Sequence, residues 1–399
     1  MDRDVTRREV LSAVGVGVVG SLAGCGEAVP GADEPVAGDW PMSGYDAANT
    51  GVSSDAPGPD GPGERWRFAV DREVAASPAV VGDTVYVNTL RGNTHALDAA
   101  TGERQWLARA SFPLFGTPAV DDETVYVADG GGHLHALAEG DRGEDESDET
   151  PRPAGEFLWQ VRGDAGFSSS PTVADGTVYL GTYEGHLHAF DAADGTRRWS
   201  DVLGDNVDVA PAVADGTVYA TVPRGVVYAL DAATGEEAWR TDLGVGLTKG
   251  AVAWNGSVYV GSTDTTRYGH ETRLFALDAA TGERTWDAPL DGSISGSPVA
   301  TDGTIVAGTW DGTLYAFDAV DGTERWRTGA GPAVTAAPAV AGGRIYASIM
   351  NRELHAVAVG DGTIEWTAPT DGDIPGSPAV AGDALYVATG GREVLAIGG

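Results

Sequence analysis

Eight tryptophans set the frame of this sequence. Trp66, Trp106, Trp159, Trp199, Trp239, Trp286, Trp326 and Trp366 follow one another at steps of 40, 53, 40, 40, 47, 40 and 40 residues. A period of that length, kept through most of the chain, limits the fold to one unit repeated as a solenoid or a ring. The two long steps are insertions of 13 and 7 residues.

One full unit, SSPTVADGTVYLGTYEGHLHAFDAADGTRRW (169–199), reads as four short strands. SPTVA ends at Asp175-Gly176, a pair that tolerates the positive φ angles of a tight hairpin. TVYLGT alternates β-branched, aromatic and small residues, as a strand does. GHLHAFD is a third strand, and AADGT turns into a fourth that ends at Trp199. Four strands in each repeat of this length is the pattern of a propeller blade. The units start at Ser77, Thr117, Ser170, Ala210, Gly250, Ser297, Ala337 and Ser377. The eighth stops at VLAIGG, without a turn-plus-tryptophan strand, while GERWRF around Trp66 stands alone at the other end. An open ring would leave unpaired strand edges. The expectation is an all-β fold, an eight-bladed β-propeller of four-stranded antiparallel blades, closed by the N-terminal strand around Trp66.

The segment ALDAATGERQW (96–106) returns as ALDAATGEEAW (229–239) and ALDAATGERTW (276–286), with near forms at 189–199 and 316–326. Ala138 and Ala358 replace the aspartate in units two and seven, so units two, seven and eight are degraded. The Thr-Gly or Asp-Gly pair makes a turn, the aspartate reaches backbone N–H groups within it, and the tryptophan is a large apolar wedge. This pattern resembles the tryptophan-docking motif of the PQQ-repeat, or quinoprotein-type, β-propeller family, over residues 64–399. The resemblance gives all eight tryptophans the role of blade docking. For the enzymes of that family it implies pyrroloquinoline quinone (PQQ) with Ca²⁺, a vicinal cysteine pair and a catalytic aspartate. The one cysteine here is Cys25, so the pair is absent, and no calcium-ligand set stands out. The likeness is nearer to non-enzymatic, BamB-like lipoproteins, which work by binding partners, and no cofactor is expected.

The chain opens MDRDVTRREVLSAVGVGVVGSLAGC. Arg7 and Arg8 precede an apolar run too short to span a bilayer, and the pair resembles a twin-arginine export signal. LAGC, ending at Cys25, resembles a lipobox whose thiol accepts a lipid. The expected organisation is a signal peptide over 1–24, a lipid-anchored tether over 25–63 with a docking segment at 40–51 (Trp40, Met42 and Tyr45), and the propeller over 64–399. The expected location is the outer face of the cell membrane. The net charge is -34, and Lys249 is the single lysine. Such a charge repels nucleic acid. Acidic excess with almost no lysine resembles the proteins of extreme halophiles, haloarchaea in particular. An organism of that kind has no outer membrane, so the resemblance implies an architecture without naming the job.

Histidines tempt a metal reading, above all GHLHA at 132–136 and 185–189. In the aligned units the position of His135 and His188 is filled by His95, Tyr228, Phe275, Tyr315, His355 and Leu395, which is the habit of a packing position. His133 and His186 align with Asn93, Val226 and Thr313 and are expected to face solvent; no metal site is expected. GEDESDE (143–149) reads as a solvated acidic loop. No nucleophile elbow or phosphate-binding loop appears, so no catalytic residue is assigned.

Function in a ring of this kind lies where the repeat is broken. The residue before each unit start is small (Ala76, Gly116, Ser169, Val209, Gly296, Ala336, Gly376) except for Lys249. The same unit has Ala251 for the usual proline and carries an insertion with Arg267, Tyr268 and His270. Loops between second and third strands share that face and offer Arg91, Tyr183, Arg224, Trp310, Met350 and Asn351. These residues form a candidate rim for an anionic ligand or a partner's carboxylate; the plain alternative is a lysine that neutralises axial carboxylates such as Asp208. Three readings follow: a cell-surface, non-catalytic binding or assembly scaffold with a protein or small-ligand partner, a PQQ-dependent quinoprotein dehydrogenase, and a purely structural envelope protein.

Overall fold

The hairpin turn of each unit is the seed of the architecture. Asp175 and Gly176 take φ of 48° and 65°, and Asp215-Gly216 and Asn255-Gly256 repeat the pattern. The turn folds the three-residue first strand onto the second, and two further antiparallel strands complete a sheet. In the third unit these are Thr172–Ala174, Thr177–Gly181, His186–Asp191 and Arg197–Val202. The computed structural model describes residues 38–140, 153–263 and 272–399. Arg7, Arg8, Cys25 and the acidic stretch 143–149 lie outside them. All eight units form such sheets, which gives an eight-bladed β-propeller.

The last blade combines both ends of the sequence. Glu64–Ala69 pairs antiparallel with Glu393–Ile397, with Trp66 opposite Ala396. The first strands also meet across this junction. Ser377 N donates to Ser77 Oγ at 2.8 Å, Ser77 N to Thr117 Oγ1 at 3.2 Å, and Thr117 N to Ser170 Oγ at 2.9 Å. Three hydroxyls, of Ser77, Thr117 and Ser170, thus stitch blades eight, one, two and three together.

Between blades the contact is the tryptophan. Trp199 Nε1 donates to Ala232 O at 2.8 Å, a carbonyl in the next blade's turn, and Tyr179 Oη reaches the same oxygen at 3.1 Å. The turn glycine lies on the indole: a Cβ on Gly235 would fall 2.8 Å from Trp199 Cδ2. Asp231 Oδ1 accepts Thr234 N at 2.8 Å and Ala233 N at 3.1 Å, which holds the turn and keeps its carboxyl below the usual range. Seven of the eight tryptophans donate to such a carbonyl. Trp366 does not; its Nε1 is buried without a partner. In blade eight the third and fourth strands come from opposite ends of the sequence, so the turn that carries the accepting carbonyl in the other blades is missing there.

Residues 39–58 run along the axis-facing edges of the first strands. In six blades one first-strand residue points its N–H to the axis, and the segment supplies carbonyls in chain order. Val80 N donates to Trp40 O at 2.8 Å, Val120 N to Pro41 O at 2.9 Å, and Val213 N to Ala47 O at 2.6 Å. Ala253 N donates to Ala48 O, Ala300 N to Thr50 O and Val340 N to Gly51 O, at 2.9, 3.0 and 2.9 Å. Asn49 Nδ2 bridges Ala210 O and Ala251 O at 3.0 and 3.3 Å. The side chains of Trp40, Met42 and Tyr45 are buried. The strap therefore satisfies inner-edge donors of six blades and occupies the central hole. That edge, left bare, would be a line of unpaired backbone groups.

Candidate functional site

Lys249 lies in the one first strand that differs from the rest. In blade five it spans Leu247–Trp254, eight residues against three elsewhere, and its pairing slips twice, on either side of Lys249. Gly250, at φ 94°, lets the strand bulge; a Cβ there would lie 2.9 Å from Tyr259 O. Thr221 Oγ1 of blade four fixes Gly250 O at 2.8 Å. Lys249 is thereby half-buried at the axis end opposite the hairpin turns, four residues from the Ala253 N–H that binds the strap. Among the described residues no carboxylate, Asp208 included, forms an ion pair with it. The neutralising role for Asp208 is not realised.

A cavity of about 450 Å³ opens beside Lys249. Ile294, Trp310, Met350, Ile374 and Pro375 line it with apolar surface, and Ser295, Thr335 and Asp373 add polar edges. Backbone bonds between neighbouring loops place the two exposed side chains. Trp310 N donates to Ser293 O at 2.9 Å, and Met350 N to Ala333 O at 2.8 Å. Thr335 Oγ1 ties its loop to Ile374 O at 3.0 Å. The cleft offers a flat aromatic, a flexible thioether, one cation and one anion around an apolar floor. It suits an apolar group that carries a charge.

The candidate rim divides. Lys249, Trp310 and Met350 converge on the cleft. Arg91 instead pairs with Asp71 at 3.7 Å and Arg224 with Asp205 at 3.1 Å. Tyr183 and Asn351 are exposed on the same face, outside the cleft. Arg267, Tyr268 and His270 lie outside the described residues. Sequence reasoning missed Ile294, Ser295, Thr335, Asp373 and Ile374. Their signal was present: Val74, Leu114, Phe167, Val207, Leu247, Ile294, Val334 and Ile374 all stand three residues before a unit start. Exposed Phe112 and Phe115 extend the apolar surface on this face, seated over Gly131 and Gly130.

The histidines differ from blade to blade. His95 Nε2 lies 3.2 Å from Asp71 Oδ1. His133 does not simply face solvent: His133 and His135 both lie 3.2 Å from the buried Asp129. In blade three the position of Asp129 is Thr182, and His188 is fully buried with neither ring nitrogen bonded. Burial pushes its pKa down to about 4.

A family profile described as "Outer membrane protein assembly factor BamB" matches residues 56–145, 149–222, 223–337 and 311–398. Over 219 residues, 47% of this chain, the sequence is 30% identical to the serine/threonine-protein kinase AfsK of Streptomyces coelicolor, of which the match spans 27%. BamB of Moraxella catarrhalis superimposes with a TM-score of 0.67 at 17% identity, covering 85% of this chain and 100% of that one. Quinohemoprotein alcohol dehydrogenase of Comamonas testosteroni does so at 0.69 and 16% identity, covering 90% and 80%. The structural likenesses show a shared fold.

Proposed function

The chain belongs to the PQQ-repeat β-propeller family described by the assembly factor BamB, and from that premise we propose that it is a non-catalytic binding or assembly scaffold. The observation that carries this reading is the cleft at Lys249. It sits on a face rich in exposed apolar side chains, and rigid loops hold its walls. Exposed apolar surface around one charged anchor is the composition of a docking site rather than of a solvated loop surface. The partner is a protein segment that lays an apolar side chain against Trp310 and Met350 and a carboxylate on Lys249. Export through Arg7 and Arg8 and a lipid on Cys25 belong to the same proposal, since they would place this face outside the cell membrane. Cys25→Ser should release the protein into the medium; retention in the membrane fraction would count against the anchor.

The dehydrogenase reading draws on the fold shared with the quinohemoprotein enzyme. The residues do not fit its cofactor. PQQ carries several carboxylates, yet the cleft has one lysine and one aspartate, Asp373. The space below is taken by the strap, whose carbonyls are engaged by six first strands. A dye-linked assay with added PQQ and Ca²⁺ separates the two readings, and quinone-dependent turnover would favour the enzyme. A purely structural envelope role would leave the cleft without a partner. Substituting Lys249 and Trp310 together tests that: the scaffold loses its partner, whereas an envelope protein is unaffected.

A further inference from the structure

Blade three holds a side-chain set that the cleft does not use. Asp164, His186 and His188 each place one ligand atom within 4.8 Å of the other two. Among the described residues no other group of three His, Cys, Asp or Glu side chains is drawn together in this way. His186 and His188 are alternate residues of one strand, so their rings project from the same sheet face. The rings are nearly parallel, 5° apart in plane, with centroids at 5.7 Å. Asp164 comes from the loop that enters the blade and stands five residues after Trp159.

The comparison with the neighbouring blades is decisive. Blade one has Asn93 and His95 at the matching positions, and Asp71 bonds both, at 2.8 and 3.2 Å. Blade two has the same histidine pair as blade three, but Asp129 bonds both rings. In blade three the Asp71 position is filled by Asp164 while the Asp129 position is Thr182. His188 Nε2 stops 3.9 Å from Asp164 Oδ2, beyond hydrogen-bond range. A fully buried imidazole is thus left with both nitrogens unpaired beside an exposed carboxylate. An unsatisfied buried polar group is costly and needs a partner. Two ligands of one tetrahedral metal lie ~3.3–3.5 Å apart, given metal–ligand bonds of ~2.0–2.2 Å. A closure of at most about 1.5 Å between any two ligand atoms brings the set to that spacing.

We propose that Asp164, His186 and His188 form a site for a divalent transition-metal ion of the zinc class, with its remaining positions open to solvent. Two imidazoles and one carboxylate favour zinc and its neighbours over calcium or magnesium, which take oxygen ligands. The competitor is Arg197, whose Nη1 lies 2.7 Å from Asp164 Oδ2, and both side chains are about half exposed. The guanidinium occupies the carboxylate in the absence of metal and leaves it on binding.

The test is Zn²⁺ binding to the full, metal-stripped chain in a competing chelator, with millimolar Mg²⁺ present to saturate the acidic surface. Elemental analysis gives the stoichiometry. The expected result is one tightly held Zn²⁺ per chain. Asp164→Asn and His186→Ala, both away from the core, should weaken it at least tenfold, and His188→Gln likewise. His133→Ala in blade two should leave it unchanged. Arg197→Ala should tighten it several-fold by removing the competing cation. If Asp164→Asn and His186→Ala bind Zn²⁺ as the unaltered chain does, or if no stoichiometric Zn²⁺ survives Mg²⁺, the site is overturned. Loss of folding in His188→Gln does not affect that decision, which rests on the two peripheral variants.

Discussion

Trp66 Nε1 donates to the carbonyl oxygen of Ala99 at 2.8 Å, and this bond helps join the blade built from both chain ends to the first blade. Tyr386 Oη accepts the role of second donor, reaching the same oxygen at 3.2 Å. Trp66 is buried, and its strand supplies the outer edge of blade eight. Trp66→Ala should therefore cost ~3–5 kcal/mol, the usual range for a buried aromatic. Chemical denaturation should show one cooperative transition at lower denaturant. A loss below ~1 kcal/mol, or a separate minor transition, would mean that the closure is peripheral.

The seam between blades seven and eight makes the opposite prediction for a chemically identical change. Trp326→Phe removes a donor to Val359 O, bonded at 2.8 Å. Trp366→Phe removes a buried N–H that has no acceptor. The first should be the more destabilising by ~1 kcal/mol, the net value of a hydrogen bond. Denaturation of the two variants side by side decides it, and equal losses would be unexpected.

Asp46 gives the strap a pH dependence. Burial raises its pKa to about 6, against an ordinary 3.8, although Thr50 N and Oγ1 donate to it at 2.8 and 2.6 Å. Between pH ~4 and ~6 the folded chain holds a proton that the unfolded chain has released, so this group's contribution to stability falls as pH rises through that window. Asp46→Asn should gain ~1–2 kcal/mol over the parent at pH 7, allowing for its solvent contact. The gain should vanish below pH ~4. Parallel unfolding curves at pH 4 and 7 measure it; a constant difference would refute the assignment.

Net charge of -34 on this chain implies self-repulsion that salt screens. The unfolding midpoint should rise steadily from dilute buffer to molar KCl. Equal stability in both would remove the halophilic reading.

Much of the ring was legible because its determinants are local. Asp-Gly turns and the tryptophan period act within one unit, so each can be read without its neighbours. What escaped depends on contacts across units. Trp366 looks like the other seven, and only the closed ring shows that no carbonyl faces it. The path of residues 39–58 rests on backbone groups, which leave no side-chain pattern. Aligning His188 with Phe275 and Leu395 made it a packing position, whereas Asp164, from the loop before the blade, gives it a second character. Of the candidate rim, Lys249 was visible as a break in a column of small residues. Asp373 and Ile374 belong to a loop three blades along the ring, and only the fold brings them to it.

The central claim is that a partner docks at the Lys249 cleft. A photo-crosslinking residue placed at Met350 in the producing cells tests it, with Val320, exposed in a turn of the other face, as the control position. The account predicts a discrete adduct from position 350, absent from position 320 and lost when Lys249 and Trp310 are both changed to Ala. Adducts of the same pattern from both positions, or an adduct at 350 that survives the double substitution, would contradict it.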